Sequence, residues 1–310
     1  MARSERFQTS PARGLRVAGD LGPRYHAAHH GGAPLIRSLA LLLALVGGMA
    51  RAEPALLVCY PNAPGTTESA KPVMEQLGAQ IGGEAVYFND LAAANAWIES
   101  HGQPTCAIVS LGVYLRWREP HGLQPVAATE RHGSTRERFY LLVAQDAPYA
   151  SLEAFGAARP TLWSGHLDNP TFAERVIFAR GLALGERATQ VVSTAQPLRA
   201  LRRLKGGREF EGRPVDGVLL DASAWKELQQ LASFKGKVRV LFESAELPTP
   251  PVVSFANSDP AAVAALRAKL LGLGERAEGK KLLETLQLTA FRPADPEALE
   301  PVVAAYEAPQ

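Results

Sequence analysis

The chain has 310 residues, 46% of them hydrophobic, and a formal net charge of +2. Length and composition admit two domains or one large one with ample apolar material for a core, and exclude a disordered or collagenous chain. Residues 1–52 carry seven arginines and two acids, so the remainder is near −3 and gives no support to a nucleic-acid partner.

A basic leader is followed by the apolar run 38–46 and by Ala50, Arg51 and Ala52, a small-x-small pattern before Glu53. This is the pattern of a secretory signal peptide cleaved near Ala52, and the run is too short to span a bilayer comfortably. His26, His29 and His30 leave with it. Residues 55–60 form a continuous apolar run, suited to a strand covered on both faces. A helix follows with Val73, Leu77 and Ile81 on one side, stopped by Gly82 and Gly83. The strand 84–88, a helix carrying Leu91, Ala94, Trp97 and Ile98, the strand 106–111 and a helix through Tyr114, Leu115 and Trp117 complete a β-α-β-α-β-α pattern. Cys59 and Cys106 lie in two of these strands; a disulfide and a pair of small core residues are both open readings.

Residues 124–129 read as a further strand and 131–135 as a polar loop. The apolar run 139–144 reads as a crossing between lobes. Beyond a short helix at 151–155, Thr161, Leu162 and Trp163 form a strand broken by Ser164 and Gly165. Asn169 then caps a helix with Pro170 at its first position, and Phe172, Val176, Phe178, Ala179 and Leu182 recur at helical spacing. Strand, polar loop and helix start make either an anion site or an ordinary βα turn. Alternation resumes with strands at 190–192, 215–221 and 238–242 and helices at 197–204 and 222–231. The stiff segment 248–251 leads to a second crossing at 252–255, helices follow at 261–271 and around Leu282 to Leu286, and 293–306 closes the chain.

The fold class expected is α/β: two doubly wound lobes joined by two crossing strands. The divisions are a leader at 1–52, the first lobe at 53–138, the second at 139–251, and a return to the first at 252–310. A cleft between such lobes gathers strand ends and helix starts, where open α/β sheets bind ligands.

Four stretches carry a resemblance: Val58 to Pro61, Asp216 to Ala222, Glu243 to Val253 and Leu282 to Asp295. With them, nearly all the chain after the leader resembles the periplasmic solute-binding proteins of phosphonate- and phosphate-type ABC transporters. The resemblance implies a type II periplasmic binding fold. It also implies a monomer in the periplasm that closes by hinge bending on a small polar or anionic solute, phosphonate- or phosphate-like, and delivers it to an ABC permease in the inner membrane. Family members usually hold the anion with a Ser-Thr-Ser-Gly-like run. Here 163–171 keeps Ser164, Asn169 and Thr171 without that hydroxyl-rich pattern, and Asp168 would repel an anion if it faced the cleft.

The ligand-binding candidates are Tyr60, Ser110, Tyr114, Ser164, Asn169, Thr171 and Asp216. Tyr60 ends the first strand, and Ser110 and Tyr114 flank the end of the third, where Gly112 permits close approach. Asp216, by the family match, would meet a ligand amine; Asp221 serves equally well as a helix cap. Arg131, His132, Ser134 and Thr135, with Arg136 and Arg138 beyond, either complement an anion or are solvated. Arg199, Arg202, Arg203, Lys205, Arg208 and Arg213 read as an exposed basic face. His166 and Asp168 are too few for a metal site, and no cofactor is expected. No nucleophile elbow, P-loop, His-Glu-x-x-His helix or dinucleotide fingerprint is present, so nothing positive points to an enzyme. A ligand sensor of the same fold feeding a membrane receptor, and an enzyme on that scaffold, are the alternatives.

Overall fold

The computed structural model describes residues 55–63, 65–165, 169–185, 188–204 and 209–309. The leader, His166 and Asp168, and Lys205 and Arg208 lie outside the described residues. In chain order come β1 (Ala55–Cys59), α1 (Thr67–Ile81), β2 (Glu84–Phe88), α2 (Leu91–His101), β3 (Cys106–Val109), α3 (Leu111–His121) and β4 (Gln124–Glu130). The short β5 (Arg136–Glu137) leads to β6 (Phe139–Ala144), α4 (Leu152–Ala157), β7 (Thr161–Ser164) and α5 (Pro170–Phe172), which runs into a π-helical turn, Ala173–Ile177. Then follow β8 (Gln190–Ser193), α6 (Pro197–Leu204), β9 (Gly217–Asp221), α7 (Ala222–Gln229), β10 (Val238–Glu243) and β11 (Leu247–Pro248). The chain closes with β12 (Pro251–Ser254), α8 (Pro260–Leu271), α9 (Ala277–Thr285), β13 (Ala290–Pro293) and α10 (Pro296–Glu307).

These strands make a six-stranded sheet, ordered β13-β4-β12-β3-β1-β2, and a five-stranded sheet, ordered β10-β6-β9-β7-β8. In the first, β1 runs parallel to β2 and β3, with Leu57 opposite Val86 and Ala107. In the second, β7 runs parallel to β8 and β9. Alternation along β1 sends Leu57 and Cys59 to one core and Leu56 and Val58 to another, so both faces of the strand are covered. Each leucine buried this way stabilises the fold by about 1.5–3 kcal/mol. The core holding Leu57 continues into Leu141, Phe172 and Leu219 of the second lobe.

The lobes meet in a joint that the apolar pattern does not mark. Residues 139–144 are not a crossing: β6 pairs with both β9 and β10 inside the second sheet. Likewise β12 pairs with β3 and β4 inside the first. Runs apolar on both faces are drawn into sheet interiors, and the link falls on β5 and β11, an antiparallel ladder setting Leu247 against Glu137. Thr249 and Thr129 knit it further: the Thr129 hydroxyl donates to the Pro250 carbonyl at 2.8 Å, and the Thr249 amide to the Thr135 carbonyl at 3.0 Å.

Three other expectations change. The helix from Pro170 stops at Ile177 rather than reaching Leu182, because Ala179 and Arg180 take φ of +45° and +66°. Residues 290–293, where no strand was expected, form the edge strand β13 against β4. Cys59 and Cys106 sit in adjacent strands, three register positions apart and on opposite faces of the sheet, a separation no disulfide spans. Burial pushes the Cys106 thiol up to about 12.

Candidate functional site

Strand ends of both sheets border a cavity of about 540 Å³. The first lobe supplies Tyr60, Pro61, Asn62 and Ala63 beyond β1, Ser110, Leu111 and Gly112 where β3 becomes α3, and Arg131 just past β4. Glu137 enters from the joint. The second lobe supplies Phe139, Gly165, Phe172, the start of α6 at Pro197 and Leu198, the end of β9 at Leu219, Leu220 and Asp221, and the α7 face at Ser223, Glu227 and Leu228.

The start of α3 gives the cavity its backbone donors. Ser110 caps the helix, its hydroxyl accepting from the Val113 amide at 3.2 Å. The Leu111 and Gly112 amides belong to the first turn, where no helical carbonyl lies behind them, and the helix dipole adds positive potential. Gly112 is also where the lobes touch. A methyl group there would lie 3.1 Å from the Phe172 ring, and the Gly112 carbonyl accepts from Asn169 Nδ2 at 2.8 Å.

Beside this helix start, the Arg131 guanidinium stands 5.8 Å from the centroid of the Tyr60 ring and 3.7 Å from Glu137 Oε2. Burial pushes the Tyr60 phenol up to about 12 although the Arg131 charge opposes the shift, so the phenol remains a neutral donor. Burial also works against the Arg131 charge, but Tyr60, Glu137 and Asp221 outweigh it and hold the guanidinium pKa above its ordinary value. The buried Nε of Arg131 meets no hydrogen-bond partner among the described residues. Among the described lining residues, Arg131 is the one Lys or Arg, facing the acids Glu137, Asp221 and Glu227.

Of the seven candidates, Tyr60 and Ser110 line this cavity. Asn169 lies at its edge: it caps α5, its Oδ1 accepting from the Phe172 amide at 3.1 Å, and its Nδ2 reaches Gly112 and the Tyr306 hydroxyl. The other four are not brought to it. Tyr114 is buried in the core on the inner side of α3. Ser164 is fully buried, its hydroxyl donating to the Leu219 carbonyl at 2.9 Å and so tying β7 to β9. Thr171 is exposed. Asp216 accepts from the Thr161 amide at 2.7 Å, fixing the start of β7. Asp221 caps α7 through the Ala224 amide at 2.8 Å and also lines the cavity.

In the sequence Glu137 is masked by the two arginines that flank it. The signal was alternation: in an extended segment Arg136 and Arg138 turn outward, with side chains 38% and 40% exposed, and Glu137, at 8%, turns inward.

Residues 62–299 match the family described as ABC transporter, phosphonate, periplasmic substrate-binding protein. The chain belongs to that family. Its members are substrate-binding components of transporters and not enzymes. The fold recurs in XAC2383 from Xanthomonas citri, solved bound to ATP, at 18% identity and a TM-score of 0.62 over 82% of this chain and 96% of that one. A binding protein component of an ABC phosphonate transporter from Pseudomonas aeruginosa gives 18% identity and 0.62 over 82% and 85%. PhnD1 from Prochlorococcus marinus, in complex with methylphosphonate, gives 11% and 0.59 over 81% and 96%. The architecture is that of the type II periplasmic binding proteins. No curated protein matches the sequence. Among the described residues no helix is long and apolar enough to cross a membrane.

Proposed function

We propose that this family member, secreted to the periplasm as a monomer starting near Glu53, binds a phosphonate-type solute between its lobes and delivers it to an ABC permease. Residues 53–138 with 252–310 form one jaw and 139–251 the other, closing about the β5–β11 joint. The observation that carries this reading is the inter-lobe cavity walled by the start of α3 together with Tyr60 and Arg131. In the proposed complex the anionic oxygens take the amides of Leu111 and Gly112, the Ser110 and Tyr60 hydroxyls, and the Arg131 guanidinium. Asp221 and Glu137 would then face the substituent and accept from an amine where one is present.

A thermal-shift screen of the mature protein against methylphosphonate, phosphate, phosphite, sulfonates and amino acids tests this. A ligand of micromolar affinity supplied at millimolar concentration adds about 4 kcal/mol to stability. Arg131→Gln and Tyr60→Phe are expected to remove most of the phosphonate shift. A full shift in Arg131→Gln, or no shift with any phosphonate, overturns the reading.

A further inference from the structure

The two jaws of the cavity differ in chemistry. The donors Tyr60, Asn62, Ser110 and Arg131 come from the first lobe, whereas the second adds the hydroxyl of Ser223 and the acids Asp221 and Glu227. The facing wall brings Leu198, Leu219, Leu220, Leu228 and Leu231 from the second. A volume of about 540 Å³ falls in the range that takes a drug-sized ligand, far more than a phosphonate head group fills. Exposure gives a second, independent sign. The large hydrophobic side chains left most open among the described residues are Leu198 at 43%, Leu231 at 47% and Val240 at 38%, and the first two line this cavity. Single apolar residues on a surface need no explanation, but two of them bordering a pocket beside buried Leu220 and Leu228 form an apolar strip that stays open among the described residues.

We infer that the ligand is an organophosphonate with an apolar substituent of several carbons, its head held by the first lobe and its hydrocarbon laid on the Leu198, Leu228 and Leu231 wall of the second. This rests on the phosphonate reading above and adds the substituent class. The wall then acts in selection as well as closure. Bare phosphate and methylphosphonate leave the leucines wet, whereas a longer substituent removes them from water when the lobes meet.

Calorimetric titration of the mature protein with methyl-, butyl-, hexyl- and phenylphosphonate tests it. Affinity is expected to rise with chain length, by up to about fourfold for each methylene buried. In the double variant Leu198→Ser with Leu231→Ser the ratio of hexyl to methyl affinity should collapse towards one. Val240→Ser makes the same kind of change on an exposed strand residue that does not line the cavity, and should keep the wild-type ratio. Measurable methylphosphonate binding with no gain along the series overturns this inference and leaves the phosphonate reading standing. A gain that survives the double serine variant overturns the placement of the substituent. Binding of no member overturns the phosphonate reading, and this inference with it.

Discussion

His121, the last residue of α3, has its ring 5.2 Å from that of Trp117 and 5.8 Å from that of Phe255, both edge to face. Burial lowers its pKa below the usual 6.5. The folded state therefore favours the neutral ring, and the unfolded chain binds the proton more readily. The stability this contributes is complete above about pH 6.5 and is lost as pH falls through the lowered folded value. Urea midpoints measured between pH 7.5 and pH 5 should decline, and His121→Leu should flatten the part due to this ring; an identical decline in the variant refutes the assignment. Gly217 makes a second test. A methyl there would lie 2.8 Å from the Phe155 ring and 2.9 Å from Leu141, both fully buried, so Gly217→Ala should cost about 1–3 kcal/mol in urea unfolding. At this scale the sequence was partly legible. Tyr60 and Ser110 follow from where strands end, because strand ends border the cleft in any fold of this type. Arg131 remained ambiguous, since only the three-dimensional approach of Tyr60, Glu137 and Asp221 separates a buried guanidinium from a solvated one.

Helix starts were the most legible elements, because a cap is a contact between near neighbours. Asn169 with Pro170 and Asp259 with Pro260 each place a side-chain acceptor at the cap and proline in the first turn; Asp295 with Pro296 does the same, but was not read from the sequence. Where those helices end was not legible to the same degree. From Pro170 onward the apolar spacing continues to Leu182, but tertiary contacts prevail. Phe178 packs on Phe242 at 5.4 Å, Glu174 Oε2 accepts from the Leu184 amide at 3.1 Å, and the chain turns away at Ala179. The same logic moved the crossings, since no local pattern shows that 139–144 must pair on both edges. For α5 the prediction is sharp. Asn169→Ala removes the cap and leaves the Gly112 carbonyl and Tyr306 hydroxyl without their amide partner, which should destabilise by about 1–3 kcal/mol. Thr171→Ala, two residues on and exposed, should stay within about 0.5 kcal/mol of wild type in the same denaturation assay. Equal effects would mean that Asn169 does not fasten the lobes.

Across the whole molecule, the segment that returns to the first lobe ends by gripping the second. Arg175 Nη1 donates to the carbonyls of Tyr306 at 2.7 Å and Ala308 at 2.9 Å, and Arg180 Nη2 to those of Ala308 and Pro309, both at 2.9 Å. These carbonyls lie at and beyond the end of α10, where the helix leaves acceptors unpaired and its dipole favours cations. An opening motion about β5 and β11 that separates the π turn from α10 must break this set, with the Asn169 bonds to Gly112 and Tyr306. In the proposed hinge closure the arginines would be counterweights to opening, placed away from the cavity and able to set affinity without touching the ligand. Charge-assisted bonds that are partly solvated are worth about 1–2 kcal/mol together, roughly a tenfold change in the ratio of closed to open forms. In the proposed cycle only the closed form encloses solute, so apparent affinity would fall as that population falls. Replacing Arg175 and Arg180 together by alanine should therefore raise the radius of gyration of the ligand-free protein in X-ray scattering and weaken binding by up to about tenfold. Arg175→Lys, which keeps a donor and the charge, should recover part of both. Unchanged scattering and unchanged affinity in the double alanine variant would show that α10 merely rests on the second lobe and takes no part in closure.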